Sequence, residues 1–407
     1  MLLELYNSRN IMKAKINWSN VYILFFSQAL YQTSSTLVIT LSGIVGMQMA
    51  PDKNLATLPL AMTTIGAAIM MIPASLIMKK IGQRKAFMAG TIIGALSGIV
   101  SWYGIIQQSF WIFSVGNMLL GAYQGFTQYY RFAAADSVPD EAKSKAISWV
   151  IGGGIVAAFT GPNLARFTQD IGTVPYAFSY LSTILLGMLA LGVVSLLKLQ
   201  HIPASLISSQ KQTGRPLKDI INNKNTILAL FSSATAFTVM GMSMTATPIA
   251  MRDFGHSPDN TAMVIQWHVL GMFLPSFFTG ALIQKFGVHR IILAGILILF
   301  IYLFIAFSGT DFINFITGLF IVGLGWNFLF IGGTSILAKV YKPEEKEKTQ
   351  AFHDFTVFTV ISISSFFAGA LFNHWGWTGL NLVLLPLLII TLIITIRVMN
   401  HNNNNNQ

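Results

Sequence analysis

The stretch Pro73–Lys85, PASLIMKKIGQRK, has a counterpart at Gly280–Arg290, GALIQKFGVHR. With Gly82 set over Gly287, each copy is the end of a long apolar run, then a basic residue, a glycine and further basic residues, then a second apolar run. The two glycines stand 205 positions apart in a chain of 407. A second pair of loops agrees with the first: PDEAKSK from Pro139 and PEEKEKT from Pro343 are 204 apart. Short charged turns between apolar helices can look alike by chance. Two loops sharing one spacing instead point to two tandem halves of one design.

Composition bounds the class. Charged residues are 10% of the chain, against roughly 25% in soluble domains. Hydrophobic residues are 54% and the mean hydropathy is +0.63. Apolar runs of about 20 residues, each long enough to cross a bilayer, recur from end to end. The fold class is therefore an all-α polytopic membrane protein without a soluble domain. The chain has no cysteine, which excludes disulfides, thiol catalysis and cysteine-bound metal. No metal or cofactor is expected. The first 17 residues carry Arg9, Lys13 and Lys15, but the apolar run after them is too long for a signal-peptide core and lacks a cleavage-like end. The N-terminus is expected to stay on the mature protein.

Helices are predicted over 18–48, 57–77, 86–106, 110–135, 146–168, 174–197, 225–250, 259–283, 290–308, 311–338, 349–372 and 377–397. These twelve spans divide into two six-helix, pseudo-symmetric bundles, 1–197 and 225–400. The longer polar segment 198–224 links them, and an asparagine-rich tail, 401–407, is expected to be disordered and without function. With the N-terminus inside, 21 of the 25 basic residues fall in cytoplasmic segments. Lys53, Arg166 and Arg252 lie on the opposite side and Arg131 lies within a helix. The asymmetry, about seven to one, sets the orientation by the positive-inside rule. Both termini are expected in the cytoplasm and the chain in the cell (inner) membrane. The same distribution assigns the net charge of +11 to lipid headgroups rather than to nucleic acid.

Two six-helix repeats, a basic linker and a glycine-basic turn between helices 2 and 3 and again between 8 and 9 resemble the major facilitator superfamily. That family's turn reads G-x-L-x-D-R-x-G-R-R-K. The second copy matches at Gly280, Leu282, Lys285, Gly287 and Arg290, the first at Lys80, Gly82, Arg84 and Lys85. Lys79 and Gln284 stand where the family has its aspartate. The resemblance implies a latch between the halves at this end, and here other residues must form it. Arg131 and Asp136 on helix 4, with His353 and Asp354 on helix 11, are candidates for that closing network. A static interfacial salt bridge is the alternative. In helix 5, GGGIVAAFTGPNLA from Gly152 is similar to the family's glycine-proline bend, at Gly161 and Pro162. Asn117 takes a helix 4 position where many members have arginine.

Polar residues at bilayer depth are costly unless they have a partner or a task. Helix 1 puts Gln28, Tyr31, Gln32 and Ser35 on one face, and helix 4 does the same with Asn117, Gln124, Gln128 and Arg131. Helix 7 gives Thr235, Thr238, Met242 and Thr245, and helix 10 gives Trp326 and Asn327. The resemblance makes helices 1, 4, 7 and 10 the lining of a central cavity. Interhelical hydrogen bonds that only hold the bundle together would explain the same residues. His268, beside Trp267 on helix 8, falls near mid-membrane. It reads either as a proton-coupling or ligand-binding group, or as a neutral histidine bonded to a neighbouring helix.

No Asp or Glu falls at mid-depth in helices 1, 4, 7 or 10, and no Lys or Arg pair sits there for a phosphate or dicarboxylate. Amides, hydroxyls and the aromatics Tyr31, Tyr123, Tyr129, Tyr130, Trp267 and Trp326 suit a neutral or weakly charged, ring-containing small molecule. A vitamin, a nucleoside-like compound, a siderophore-like molecule or a hydrophobic drug would fit. No HExxH, GxSxG or nucleotide-binding loop occurs, so the chain is not read as an enzyme. The function expected is secondary transport of a small organic solute by alternating access, coupled to protons, in a monomer. A uniporter, or a transporter-like sensor without flux, remains open from these residues.

Overall fold

A backbone immersed in lipid must satisfy its own hydrogen bonds, so the apolar runs fold as helices. The computed structural model describes residues 18–52, 55, 58–199 and 214–404. Arg9, Lys13, Lys15, Lys53, Lys211, most of the linker and the last three residues lie outside them.

The first half comprises α1 (Trp18–Met49), α2 (Leu58–Ile81), α3 (Gln83–Ile106), α4, α5 and α6 (Ala177–Ser195). Of these, α4 is in two pieces, Phe110–Thr127 and Tyr130–Asp136, as is α5, Lys143–Gly152 and Gly154–Thr168. The second half comprises α7 (Lys224–Asp253), α8 (Pro258–Phe273 and Ser276–Phe286), α9 (Val288–Ser308) and α10 (Phe312–Val340). The helical stretch Lys346–Asn404 completes it and is divided at Gly376, which leaves helical geometry; α11 precedes this break and α12 follows it. Among the described residues, nine helices are long and apolar enough to cross a membrane by length and composition. Those that fall short by this measure are α1, α4 and most of α11.

The repeat is visible in the backbone. Gly82 has φ 84° and ψ 155°, and Gly287 has φ 87° and ψ 146°. Both turns use a conformation that a Cβ would strain, which is why glycine recurs there. The second loop pair also matches, since Asp140–Ala142 and Pro343–Glu345 each form one turn of 3-10 helix. Each half carries its own hydroxyl, amide and tyrosine cluster. In the first, Ser42 Oγ donates to Asn117 Oδ1 at 2.7 Å and lies 3.1 Å from Tyr180 Oη. In the second, Tyr302 Oη donates to Asn381 Oδ1 at 2.6 Å and lies 2.9 Å from Ser243 Oγ.

Two local expectations change. The helix runs on through Pro162, and α5 is interrupted at Gly153 rather than at Gly161–Pro162. Gly161 has a packing role, because a Cβ there would sit 2.7 Å from that of Thr36 on α1. The tail is the second change, since α12 stays helical to Asn404. The described end of the linker forms a short helix, Leu217–Ile221, held by Arg215. Arg215 Nε and Nη2 grip Glu345 Oε1 and Oε2 at 2.8 and 2.7 Å, and its backbone N–H adds a bond of 2.9 Å. The guanidinium lowers the Glu345 carboxyl to about 2.

Candidate functional site

Between the halves lies a cavity of about 820 Å³, within the usual range of roughly 300–1,000 Å³ for small-molecule sites. Its two walls differ in chemistry. The first half supplies Gln28, Gln32 and Ser35 from α1, Thr63 and Thr64 from α2, and Gln124, Thr127, Gln128 and Arg131 from α4. The second half supplies Phe237, Phe273, Trp326, Phe330 and Phe358, with Met240, Met272, Thr245, Ser362 and Ser365. All four glutamines are on one side and all five aromatic rings on the other.

Helical spacing builds the amide wall. Gln28 and Gln32 are one turn apart on α1, with their side chains 3.5 Å apart. Gln124, Gln128 and Arg131 follow the same stripe across the break in α4. The aromatic wall is organised on Trp326, whose ring centroid lies 5.4 Å from Phe237, 4.9 Å from Phe330 and 6.1 Å from Phe273. Its buried indole N–H has no protein partner among the described residues. A flat apolar face bearing one unused donor suits a heteroaromatic ring.

At the floor the halves meet through charge. Arg131 Nη2 lies 2.5 Å from Asp354 Oδ1, and both side chains are buried. Arg131 Nη1 also donates to the Gln128 carbonyl at 2.7 Å and to Gln128 Oε1 at 2.8 Å. His353 Nδ1 sits 2.8 Å from the same Asp354 oxygen, and its Nε2 sits 3.0 Å from Ser233 Oγ. Toward the basic end, Lys346 pairs with Asp136 across the halves. Gln284 Nε2 donates to the Glu141 carbonyl at 2.6 Å, so the residue standing in for the expected aspartate still links the halves. Ser148 Oγ donates to the Ser276 carbonyl and accepts from the Gly280 N–H at 3.0 Å. A Cβ on Gly280 would come within 2.5 Å of Lys145 Cα, so only glycine permits this crossing of α5 and α8. The basic end is shut by these contacts, and the lining runs the other way to Ile39, Leu60 and Ile65.

Several expected residues lie elsewhere. His268 is buried between α8 and α10, with Nδ1 2.8 Å from the Leu319 carbonyl oxygen, and it is absent from the cavity lining. Trp267 points away, 46% exposed and set edge-on against Phe320. Asn327 joins α10 to α8 by donating to Met272 O and Ser276 Oγ, each at 2.6 Å, and accepting from Thr279. Tyr31 is buried in the first half against Tyr123. For His268 and Asn327 an interhelical hydrogen bond has taken the polar group that the sequence offered to the cavity. Of the turn residues, Lys80, Lys285 and Arg290 are exposed and Arg84 binds the Ser195 carbonyl of its own half, so none of these bridges the halves. Sequence reasoning missed Phe237, Phe273, Phe330 and Phe358, because it searched for polar residues. The i, i+4 pair Trp326 and Phe330 was the available signal.

Known proteins match along nearly the whole chain. The Major Facilitator Superfamily profile matches residues 24–242 and 227–406. The riboflavin transporter RfnT of Brucella anthropi is 40% identical over 377 residues, covering 92% of this chain and 94% of that protein. The uncharacterized MFS-type transporter YddS of Bacillus subtilis is 26% identical, covering 91% of this chain and 89% of its own. Among solved structures, the E. coli fucose:proton symporter FucP superposes with a TM-score of 0.73 at 17% identity, over 94% of this chain and 98% of that one. The human organic anion transporter MFSD10 gives 0.74 at 14% identity, over 92% and 98%.

Proposed function

This chain belongs to the Major Facilitator Superfamily of membrane transporters, and on that premise we propose that it carries riboflavin or a closely related flavin across the cell membrane. The observation that carries the reading is the opposition of an aromatic wall to an amide wall in one cavity. Riboflavin is an uncharged, flat tricyclic ring with an imide edge and a polyhydroxylated chain. Its ring face matches the wall around Trp326 and its polar edges match the glutamines and hydroxyls opposite. The likeness to a riboflavin transporter supports the same choice.

Alternating access follows from the floor. The solute enters from the end opposite the basic loops and binds between the halves, touching both. Release on the basic side requires the Arg131–Asp354 and Lys346–Asp136 pairs to part. The solute favours that step only as far as it binds the rearranged halves better than the present ones. The positive-inside rule makes the basic end cytoplasmic, with both termini there and the cavity facing outward. Proton coupling belongs to the reading, because Asp354 and His353 place a carboxylate and an imidazole at the floor. The transporter acts as a monomer, since the cavity is built by one chain.

Counterflow of labelled riboflavin in proteoliposomes tests this directly. Exchange that is saturable and shifted to higher riboflavin concentration by Trp326→Ala is expected, and accumulation should collapse with a protonophore. No exchange by the intact protein would refute the substrate; exchange indifferent to a pH gradient would refute the coupling.

A further inference from the structure

Arg131 is the only formally charged side chain in the described cavity lining. A guanidinium at the floor of a cavity would ordinarily read as an anion site, because its donor fork fits carboxylate and phosphate. Here the fork is occupied. Nη2 is on Asp354 at 2.5 Å and Nη1 is on the two Gln128 oxygens at 2.7 and 2.8 Å. The guanidinium also packs between Phe132 and Phe330, 4.6 and 4.8 Å from their ring centroids. His353 adds no compensating anion or second donor fork. Its two ring nitrogens are engaged by the Asp354 oxygen and the Ser233 hydroxyl. Further toward the basic end, Asp136 and Lys346 pair with one another outside the lining. At the floor, Arg131 and Asp354 therefore cancel one another's charge. Two atoms stay unused in it, Arg131 Nε and Asp354 Oδ2, both buried and without a hydrogen-bond partner among the described residues.

We infer that Asp354 sets the selectivity of the transporter by masking Arg131, so that the cavity accepts the uncharged flavin and turns away flavins bearing a phosphate. The inference rests on the flavin reading of the cavity. A phosphate monoester carries about −1.5 to −2 charges near neutral pH. Burying it against rings, amides and a neutralised guanidinium strips its water and gives it no counter-charge. Removing the Asp354 charge reverses this. It leaves the guanidinium charge uncancelled, with Nη2 held by no more than a neutral amide beside the already unpartnered Nε, on the edge suited to bidentate phosphate binding. Asp354 is thus a positioning and screening residue that acts through Arg131 without lining the cavity itself.

Equilibrium binding to the full chain in nanodiscs, read by flavin fluorescence, separates the outcomes, and it does not depend on the gate still working. Wild-type protein is expected to bind riboflavin more tightly than riboflavin 5′-phosphate by at least about tenfold. Asp354→Asn should narrow that ratio by about tenfold or invert it, with the gain in phosphate binding fading as salt rises. The double variant Arg131→Gln/Asp354→Asn, neutral again, should restore the preference for riboflavin. Should Asp354→Asn fail to fold, Gln124→Lys puts an unpaired cation in the same cavity and should admit the phosphate in its place. An unchanged ratio in the foldable single variant overturns the inference, as does a phosphate gain that survives the double substitution. Wild-type protein that binds both flavins equally defeats the inference and leaves the substrate standing. Wild-type protein that binds neither defeats the substrate assignment itself.

Discussion

The two walls of the cavity descend from one repeated design and have diverged in opposite directions. The first half contributes Gln28, Gln32, Gln124 and Gln128, and the second contributes Phe237, Phe273, Trp326, Phe330 and Phe358. The turns that join the helices have hardly moved apart, with Gly82 and Gly287 within 10° of each other in both dihedrals. Backbone geometry is thus conserved between the halves where the chain must reverse, while side-chain chemistry differs where the halves face a ligand. A solute held between an aromatic wall and an amide wall touches both halves at once. Its binding energy can then bias their relative motion.

The largest expected effect tests the one place where the walls are joined by charge. Arg131→Met leaves Asp354 buried without its partner, which costs about 3–5 kcal/mol, and should appear as a marked fall in melting temperature in detergent. An unchanged melting temperature would mean that water reaches the floor and the pair is not a closing contact. Next comes the aromatic wall. Trp326→Ala should weaken riboflavin binding by about 1–3 kcal/mol, the range found for stacking of flat bases on aromatic side chains. The amide wall ranks third. Gln124→Leu should cost about 0.5–1.5 kcal/mol of affinity, one hydrogen bond's worth, and equal losses at Trp326 and Gln124 would contradict the division of labour between the walls.

Smaller effects bound the comparison from outside the cavity. Glu345 is lowered from an ordinary 4.5 to about 2 by Arg215. Its grip on the linker is therefore complete above about pH 4.5 and is lost as pH falls through about 2. Limited proteolysis at the linker should accelerate over that window in wild-type protein, and Glu345→Gln should cleave as readily at neutral pH. Smallest for transport is His268→Ala. It removes the bond to the Leu319 carbonyl between α8 and α10, so it should lower the melting temperature while riboflavin affinity stays as it was. A loss of affinity would restore His268 to the site.

The polar stripes illustrate how far the site could be read in advance. On α1 and α4, helical spacing put Gln28 and Gln32, and Gln124, Gln128 and Arg131, on common faces. The family resemblance pointed those helices at the cavity, and all five line it, although Asn117 on the same stripe does not. The same reasoning failed for Asn327, His268 and Tyr31, which are also polar and also deep. A helix has several faces, and which one looks inward depends on its neighbours. Asn327 faces α8 and His268 faces α10, where each finds a carbonyl oxygen. The aromatic wall was illegible for the converse reason, because Phe237 or Phe358 in an apolar helix is indistinguishable from a lipid-facing phenylalanine until its surroundings are known.

Sequence by itself determined the membrane class, the tandem repeat and the position of its turns. Low charge, long apolar runs and a glycine that must take positive φ are local properties, each set by a few adjacent residues. Tertiary structure alone decided that Asp354 reaches Arg131 from 223 positions away, that Gln284 replaces a missing carboxylate by reaching the Glu141 carbonyl, and that the rings gather on one side. These are meetings between surfaces far apart in the chain. Their rotation about each helix axis is fixed by packing against neighbouring helices, and no window of consecutive residues contains it.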